Sequence, residues 1–365
     1  MNGTSKRFEG LLSGYFETLL EDYPMLATTS GLRSGEGKLH SPTAAFLAKC
    51  ERQRQTALRG MESISPRELS NEQHLDRLAL HSLLLKECED HARGRHGLEP
   101  NAPAQLLDIL LHELLRADDE PQRAAANLRS LLKQAPDFLD EASALLDKPE
   151  RVWLRVMEQT VAGGALLLEG VGKLLQATHP QSADAALIRA TQKSLQRYAD
   201  CAKQRPTAPA GSFSIGAAAL QRRVRDEIGL DYTLGQVEAL ALGEAERVGV
   251  LLKAACARFG RNRQPDEIIA EARSEWRPVK PLLALYQHET ERVANGFRQA
   301  AAVTFPKGDR LDVKLVPEFL RTLIPTAAYS QPGAFERRQR GIFWVNDLSV
   351  TKASDAEKLA EQQQH

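Results

Sequence analysis

The chain has 365 residues, of which 48 are basic and 48 acidic. Because these charges cancel, no overall field attracts nucleic acid or an anionic membrane surface. The four cysteines lie far apart and form no CxxC pair, so neither a disulfide framework nor a cysteine metal site is indicated. No stretch approaches the ~18 consecutive apolar residues of a membrane span, and the start lacks the apolar segment of a signal peptide. The composition therefore predicts a cytoplasmic protein.

The first segment has the apolar spacing of a helix. Its apolar residues recur at intervals of three and four and so share one helical face: Phe8, Leu11, Leu12, Tyr15, Phe16, Leu19 and Leu20. Residues 25–40 are polar and glycine-rich, and we predict a loop there. Farther on, Ser65 to Glu68 is typical of a capping box and Ser70 to Gln73 can form another, and a long helix to about His91 is predicted after them.

Prolines and glycines divide the middle of the chain. Pro121, Pro136 and Pro149 each lie near an acidic residue suited to a helix start, so they predict three separate helices. Gly163 and Gly164 interrupt the third and most apolar of these helices. Two alternatives remain open for this pair, which either kinks the helix or lets a second helix approach closely.

The helical pattern continues to residue 302. A capping-box pattern from Thr233 to Gln236 predicts a helix to about Phe259. Periodic segments along the chain need about a dozen helices. We therefore predict a helical body over residues 1–302. The second predicted part, residues 303–365, holds a small sheet and the start of a helix at residues 353–365, where Ser354 can cap.

Three short stretches have strand character. Residues 312–316 alternate between polar and apolar side chains and end at Pro317, and residues 327–330 precede a turn-forming Gln-Pro-Gly. Residues 341–346 (GIFWVN) are β-branched and aromatic. The predicted fold is mainly α, a multi-helix body with a small antiparallel β-sheet near the C-terminus. We expect residues 341–346 to form an edge strand, open toward a cleft, where an extended peptide can dock.

The sheet region carries a family resemblance. Its sequence VPEFLRTLIPTAAYSQPGAF, followed by QRGIFWVN, resembles the bacterial family known as domain of unknown function 885, and residues 211–248 resemble it in order and spacing. The resemblance implies a helical, zincin-like metallohydrolase fold, with peptidase activity and a zinc cofactor. In that family the sheet leads into a helix with the motif His-Glu-x-x-x-x-His-His, whereas this chain stops at His365 before such a motif. We therefore expect no zinc in this chain.

Two segments begin like the zincin motif HExxH. His112-Glu113 and His288-Glu289 each have an arginine where the second histidine is required, four residues after the first. A cation in that place repels zinc, so neither is predicted as a metal site. The sequence also has no GxSxG, Walker A or dinucleotide-binding motif. No complete catalytic constellation is recognisable.

The candidate site is therefore on the substrate side. Tyr329 can polarise an oxyanion, and Asn346 can bond a substrate backbone. Arg340 can pair with a substrate carboxylate, and Trp344 lies on the candidate strand. The alternatives are that Tyr329 and Trp344 fill the interface between sheet and helices, and that Arg340 is a solvated charge in a turn.

Three functions follow from these observations. The first is the N-terminal and sheet portion of a zinc-dependent, peptidase-like hydrolase, inactive without its metal helix. The second is a non-catalytic protein that binds a peptide or a protein partner, and the third is a helical scaffold. We expect association through residues 341–365, with a complementing C-terminal chain or a second copy as partner. Neither nucleic acid nor membrane is expected as a partner.

Overall fold

The computed structural model describes residues 3–117, 120–260, 263–275, 281–305, 307–308, 310–316, 324, 326–337, 339–347 and 354. These residues form a mainly α protein with a small sheet near the C-terminus, as predicted. The chain divides into two compact units, Met1–Leu234 and Gly235–His365. The predicted boundary after residue 302 marks a change from helical to extended sequence, and as a domain boundary it stays a prediction.

The first unit begins with four helices: α1 (Gly3–Asp22), α2 (Pro24–Thr29), α3 (Ala44–Glu62) and α4 (Asn71–Ala92). The capping box predicted at the start of α4 is confirmed, since the Gln73 amide donates to Ser70 Oγ and the Ser70 amide to Gln73 Oε1, both at 3.2 Å. The loop predicted for residues 25–40 is wrong for its first part. Pro24 ends α1 but also opens α2. Proline suits the first position of a helix, because the backbone N–H that it lacks would have no hydrogen-bond acceptor in the first turn.

The core of this unit is built from four longer helices. They are α6 (Ala102–Leu115), α7 (Pro121–Ala144), α8 (Arg151–Thr178) and α9 (Asp184–Gln204), and α5 (Arg95–Leu98) precedes them. Fully buried leucines fill the space between them: Leu106, Leu110, Leu128, Leu131, Leu132, Leu139 and Leu168. A Cβ on Gly164 would lie 2.9 Å from Leu107 Cδ1, so of the two alternatives the glycine allows close approach of α6 and α8.

Pro136 does not separate two helices as predicted, because it lies inside α7. Its ring removes the N–H that would bond the carbonyl of Leu132, one turn earlier. The Thr191 hydroxyl of α9 contacts that carbonyl at 3.5 Å. Nearby, Arg129 donates to both carboxylate oxygens of Asp184 at 2.8 and 2.9 Å, which joins α7 to the start of α9. Packing against α9 therefore supports a continuous helix through the proline.

The unit closes with α10 (Gly216–Arg222), which continues into a π-helical turn at Arg223–Glu227. The Ser82 hydroxyl of α4 donates to the Glu227 carbonyl at 2.9 Å and ties this turn to the first helices. Arg223 donates to Asp90 at 2.9 Å and adds an ion pair to the same contact. The polar residues on α4 thus hold the end of the unit in place.

The second unit begins within the first turn of α11 (Leu234–Cys256) and also contains α12 (Pro265–Glu275) and α13 (Leu282–Gln299). Its strands are β1 (Arg310–Leu315), β2 (Ala327–Ser330) and β3 (Arg340–Val345). Pro317 and the predicted helix start at residues 353–365, apart from Ser354, lie outside the described residues. The strand order is β1-β3-β2.

The sheet is mixed, so the prediction of an antiparallel sheet is wrong for one of its two pairs. β1 runs parallel to β3, with Arg310 opposite Arg340 and Leu315 opposite Val345. β2 runs antiparallel to β3, with Ala327 opposite Val345. β3 lies between β1 and β2, and its successive residues Trp344 and Val345, which point to opposite faces, are both buried. The apolar run of residues 341–345 therefore fits a strand that is covered on both faces.

Candidate functional site

The candidate site lies on the sheet, where β3 separates the two edge strands. The predicted open edge on residues 341–346 is wrong, because β3 pairs with β1 on one side and with β2 on the other. An open edge must therefore belong to β1 or β2. The backbone hydrogen bonds decide which groups of each strand face outward.

On β2 the outward groups belong to Ala327 and Tyr329. The Asn346 amide donates to the Thr326 carbonyl at 2.8 Å, so these two residues form a hydrogen-bonded pair. Antiparallel pairing alternates, and the backbone groups of Ala328 and Ser330 therefore also point toward β3. The N–H and C=O groups of Ala327 and Tyr329 point away from the sheet. Within the described residues, no backbone hydrogen bond outside the strand pairing engages these four groups.

On β1 the outer edge is partly covered by α13. The Val316 amide donates to the Val345 carbonyl at 2.9 Å, which directs the backbone of Leu315 and Val313 outward. The Gln287 side chain of α13 then donates to the Val313 carbonyl at 3.4 Å. A side chain thus already occupies part of this edge, which leaves β2 as the better candidate for binding an extended chain.

Tyr329 lies on the edge strand and is 57% exposed. Its ring crosses to the neighbouring strand, since a Cβ on Gly341 would lie 2.5 Å from the phenol oxygen and 2.7 Å from Cε2. Gly341 therefore provides the space in which this ring rests. On the same face, Tyr286 of α13 stacks on Phe343 with ring centroids 5.5 Å apart and an interplanar angle of 29°. The Tyr329 phenol therefore lies at the solvent-exposed end of a row of rings formed by Tyr286, Phe343 and Tyr329.

Arg340 lies at the start of β3 and pairs with Asp312 of β1. Arg310 donates to the other oxygen of the same carboxylate at 2.8 Å. Burial acts to raise the pKa of Asp312, but the hydrogen bonds from Arg340 and Arg310 outweigh it and leave the pKa below its usual range. Two guanidinium groups thus share one carboxylate, and these three side chains together carry one positive charge.

Trp344 and Asn346 are both buried, at 2% and 3% exposure. The Trp344 indole donates from Nε1 to Ser330 Oγ at 2.9 Å, and the Asn346 side chain donates from Nδ2 to the Ile324 carbonyl at 3.0 Å. Both bonds join the end of β3 to β2 or to the residues just before it. In this structure the two side chains fix the edge strand in place.

Comparison with known proteins identifies the family. The family described as "Bacterial protein of unknown function (DUF885)" matches residues 24–363. The chain belongs to this family. The resemblance read from the sheet sequence is therefore confirmed as family membership, whereas its zincin-like and peptidase implications are not tested by the match.

A solved structure has the same fold as this member of the DUF885 family. It is described as a "putative lipoprotein of unknown function from Shewanella oneidensis", with 14% sequence identity and a TM-score of 0.67. The match covers 98% of this chain and 67% of that chain. At this identity the likeness concerns the fold alone. No curated protein matches this chain significantly.

The described residues of this DUF885 protein do not fit the zinc that the resemblance implies. Among them, no group of three or more His, Cys, Asp or Glu side chains is placed to hold a metal ion. His112 is largely enclosed, and burial, with a smaller effect from the charge of Arg116, lowers its pKa to about 4. Glu113 beside it is buried and accepts a hydrogen bond from Asn127 at 3.1 Å.

None of the helices in the described part of the chain is long and apolar enough to cross a membrane. The cytoplasmic location expected from the sequence stays a prediction.

Sequence reasoning missed Ala327 and Gly341 as site residues. Ala327 contributes only backbone groups, and these become visible once the strand order is known. Gly341 carried a usable signal, because a glycine inside a strand often marks the close approach of another group. In this chain the approaching group is the ring of Tyr329.

Proposed function

We propose that this chain binds a peptide in extended conformation along the outer edge of β2. The observation that carries the proposal is the outward orientation of the N–H and C=O groups of Ala327 and Tyr329. An added strand would pair with these four groups through backbone hydrogen bonds, as in other cases of strand addition. Such binding depends on the backbone of the ligand, so it accepts many peptide sequences.

The side chains around β2 would supply selectivity. The exposed Tyr329 phenol can contact an apolar or carbonyl group of the peptide beside the strand. Arg340 and Arg310 lie on β3 and β1 and share the carboxylate of Asp312, so a strand added to the outer edge of β2 would lie about 10 Å or more from them. Trp344 and Asn346 would act through β2, because their hydrogen bonds hold its residues against β3.

Peptide binding is consistent with two of the functions predicted from the sequence. In a peptidase-like hydrolase the bound strand would be the substrate, and in a non-catalytic binding protein it would be the ligand. The resemblance favours the hydrolase, since it implies a zincin-like relative. Because the described residues do not fit a zinc site, the proposal is limited to binding.

Two proline variants of β2 test the proposal. Proline lacks the backbone N–H and is tolerated on edge strands where that N–H faces outward. Ala327→Pro therefore removes one outward donor, whereas Ala328→Pro removes a donor to β3 and serves as the matched control. The probe is the capped peptide acetyl-AVAVAK-amide, titrated into isotope-labelled protein and followed by amide NMR. Mass spectrometry of the same samples, with and without added zinc, detects cleavage.

We expect shifts at the amides of Ala327 and Tyr329, and binding up to about tenfold weaker in Ala327→Pro, from the loss of one strand hydrogen bond. The Ala328→Pro variant should instead lower the melting temperature. Equal binding by Ala327→Pro and the natural chain would refute the proposal. Peptide cleavage would add the hydrolase activity, and binding without cleavage in either condition would favour the non-catalytic function.

A further inference from the structure

Helix α11 exposes large apolar side chains to solvent along its length. It has 23 residues, which makes it about 34 Å long. Within the described part of the chain, no other helix or strand makes extensive contact with it. Its leucines and valines are 36–65% exposed: Val237, Leu240, Leu242, Val248, Val250, Leu251 and Leu252. Exposed apolar side chains that follow one another along a helix mark an interaction surface.

One face of α11 has the spacing of a coiled-coil contact. Six residues on it are separated alternately by three and four positions, which is the spacing of the a and d positions in a heptad repeat. We call these six exposed residues the seam: Val237, Leu240, Glu244, Arg247, Leu251 and Ala254. The seam is apolar toward both ends and charged in its middle. Leu242 lies on the opposite face of the helix.

The seam is complementary to a second copy of itself in reverse direction. When a two-fold axis relates two antiparallel helices, residues equally far from the axis on either side face each other. With the axis midway between Glu244 and Arg247, Leu240 faces Leu251 of the second copy. Val237 faces Ala254 in the same way. The apolar ends of the seam are thus buried against each other.

The charges in the middle of the seam select the antiparallel direction. In an antiparallel pair, Glu244 faces Arg247 of the second copy, whereas a parallel pair would place like charges opposite each other. Within α11 the two side chains already form an exposed ion pair at 2.6 Å. Pairing would therefore extend this ion pair to four alternating charges around the axis. A polar layer of this kind fixes register and direction at a cost in affinity.

The positions beside the seam fit the same pairing by size. Ala241 and Val248 flank it on one side, and Gly243 and Val250 on the other. Because the two-fold axis exchanges the two ends of each flank, each valine lies beside the small residue of the second copy. A Cβ on Gly243 would meet nothing within 4 Å, so there is room for that valine. Large residues set against small ones let two helices interdigitate.

We propose that two copies of this chain associate through the seam of α11, in antiparallel direction, about a two-fold axis between Glu244 and Arg247. Every contact of such an interface occurs twice. Residues 341–365, through which the sequence predicts association, are not needed for it. Because the seam is short and charged in its middle, the dimer should dissociate on dilution.

Charge reversal in the seam tests the proposal, with sedimentation velocity of the full chain over a range of concentrations as the measurement. Glu244→Arg and Arg247→Glu each place like charges opposite each other in the antiparallel dimer. Either variant alone should therefore dimerise at least about tenfold more weakly than the natural chain. An equimolar mixture of the two variants brings opposite charges together again, and should form a mixed dimer.

Leu240→Glu tests the apolar part of the seam, and Leu242→Glu on the opposite face is its matched control. The two leucines are 58% and 65% exposed, so neither change disturbs a packed core, and circular dichroism checks the fold. Leu240→Glu should weaken the dimer at least about tenfold, because the burial of a leucine is lost twice. Leu242→Glu should leave the dimer unchanged.

Three results would overturn the proposal. They are a natural chain that stays monomeric at every concentration, charge-reversed variants that dimerise as well as the natural chain, and equal weakening by Leu240→Glu and Leu242→Glu. A monomeric natural chain would leave the seam to a different polypeptide. The part of the longer solved structure that lies outside the match is one candidate for it.

Discussion

Thr191 of α9 places its hydroxyl 3.5 Å from the carbonyl oxygen of Leu132, the group that Pro136 leaves without a helical donor. The same hydroxyl lies 3.0 Å from the Leu187 carbonyl of its own helix. Thr191 is fully buried, so water does not replace this contact. The Leu132 carbonyl thus keeps a weak polar contact where Pro136 removes its helical donor.

Thr191→Val should therefore destabilise the protein by about 1 kcal/mol, the usual net contribution of a buried hydrogen bond. In the Pro136→Ala background, the backbone N–H of the introduced alanine can bond the Leu132 carbonyl, and the same substitution should cost less. Urea unfolding of the natural chain, both single variants and the double variant measures this coupling. Equal costs of Thr191→Val in the two backgrounds would show that the hydroxyl does not compensate for the proline.

Gly164 should not tolerate a larger side chain. Its added Cβ would lie 2.9 and 3.1 Å from the two methyl carbons of Leu107, which is itself buried. We expect Gly164→Ala to destabilise by about 1 kcal/mol, because overpacking exceeds the helical advantage of alanine. Gly10→Ala is the matched control, since a Cβ there meets nothing within 4 Å and should stabilise α1. Thermal unfolding that shows the same sign for both variants would contradict the packing argument.

His40 should make stability depend on pH. Its ring lies between aromatic rings, with centroids 5.2 Å from Phe46 and 5.3 Å from Tyr23. Burial lowers the pKa of His40 to about 4 and that of His112 also to about 4. Because the unfolded chain binds these protons below about pH 6.5, the folded state loses stability as the pH falls from there toward 4.

His40→Leu should remove part of this pH dependence, and His112→Leu another part. The measurement is the free energy of unfolding in urea at pH values from 7 down to 4. If the free energy of unfolding falls with pH as steeply in both variants as in the natural chain, other groups cause the acid sensitivity.

Local sequence signals predicted the helical part well where the interactions are local. The capping box at Ser70 follows from residues that are neighbours in sequence. At Gly164 the sequence left a kink and a close approach both open, because the contacting residue, Leu107, belongs to another helix. Pro136 was predicted wrongly because its compensating group, Thr191, comes from another helix 55 residues later. Such a partner cannot be recognised before the tertiary contact is known.

The candidate site shows the same limit. The sequence predicted the three strands, and Tyr329, Arg340, Trp344 and Asn346 stay predicted site residues, but strand order depends on pairing over the whole sheet. The apolar run of residues 341–345 contained a signal for a central strand that the edge-strand prediction did not use. Because β3 is the central strand, the outward-facing N–H and C=O groups belong to Ala327 and Tyr329 on β2. Trp344 and Asn346 are buried contacts between β3 and its surroundings.

Gly341→Ala should separate the fold from the proposed binding site. The added Cβ would meet the ring of Tyr329, the end of an exposed and rotatable side chain, so the ring can turn away. We expect a stability change below about 1 kcal/mol, since alanine in a strand also restricts the unfolded chain. Gly35→Ala is the contrasting control, because its Cβ would overlap the Pro24 carbonyl oxygen, a backbone atom that cannot rotate away, and it should destabilise strongly.

The displaced phenol should weaken binding of the acetyl-AVAVAK-amide peptide in the Gly341→Ala variant, while amides elsewhere in the sheet keep their native shifts. Tyr329→Ala should weaken binding by a similar factor, and the double variant by no more than either single one, because both changes remove the same ring from the same place. Amide NMR titrations of the three variants provide the comparison. Additive losses in the double variant would show that Gly341 and Tyr329 act independently, and unchanged binding in all three would exclude the phenol from peptide recognition.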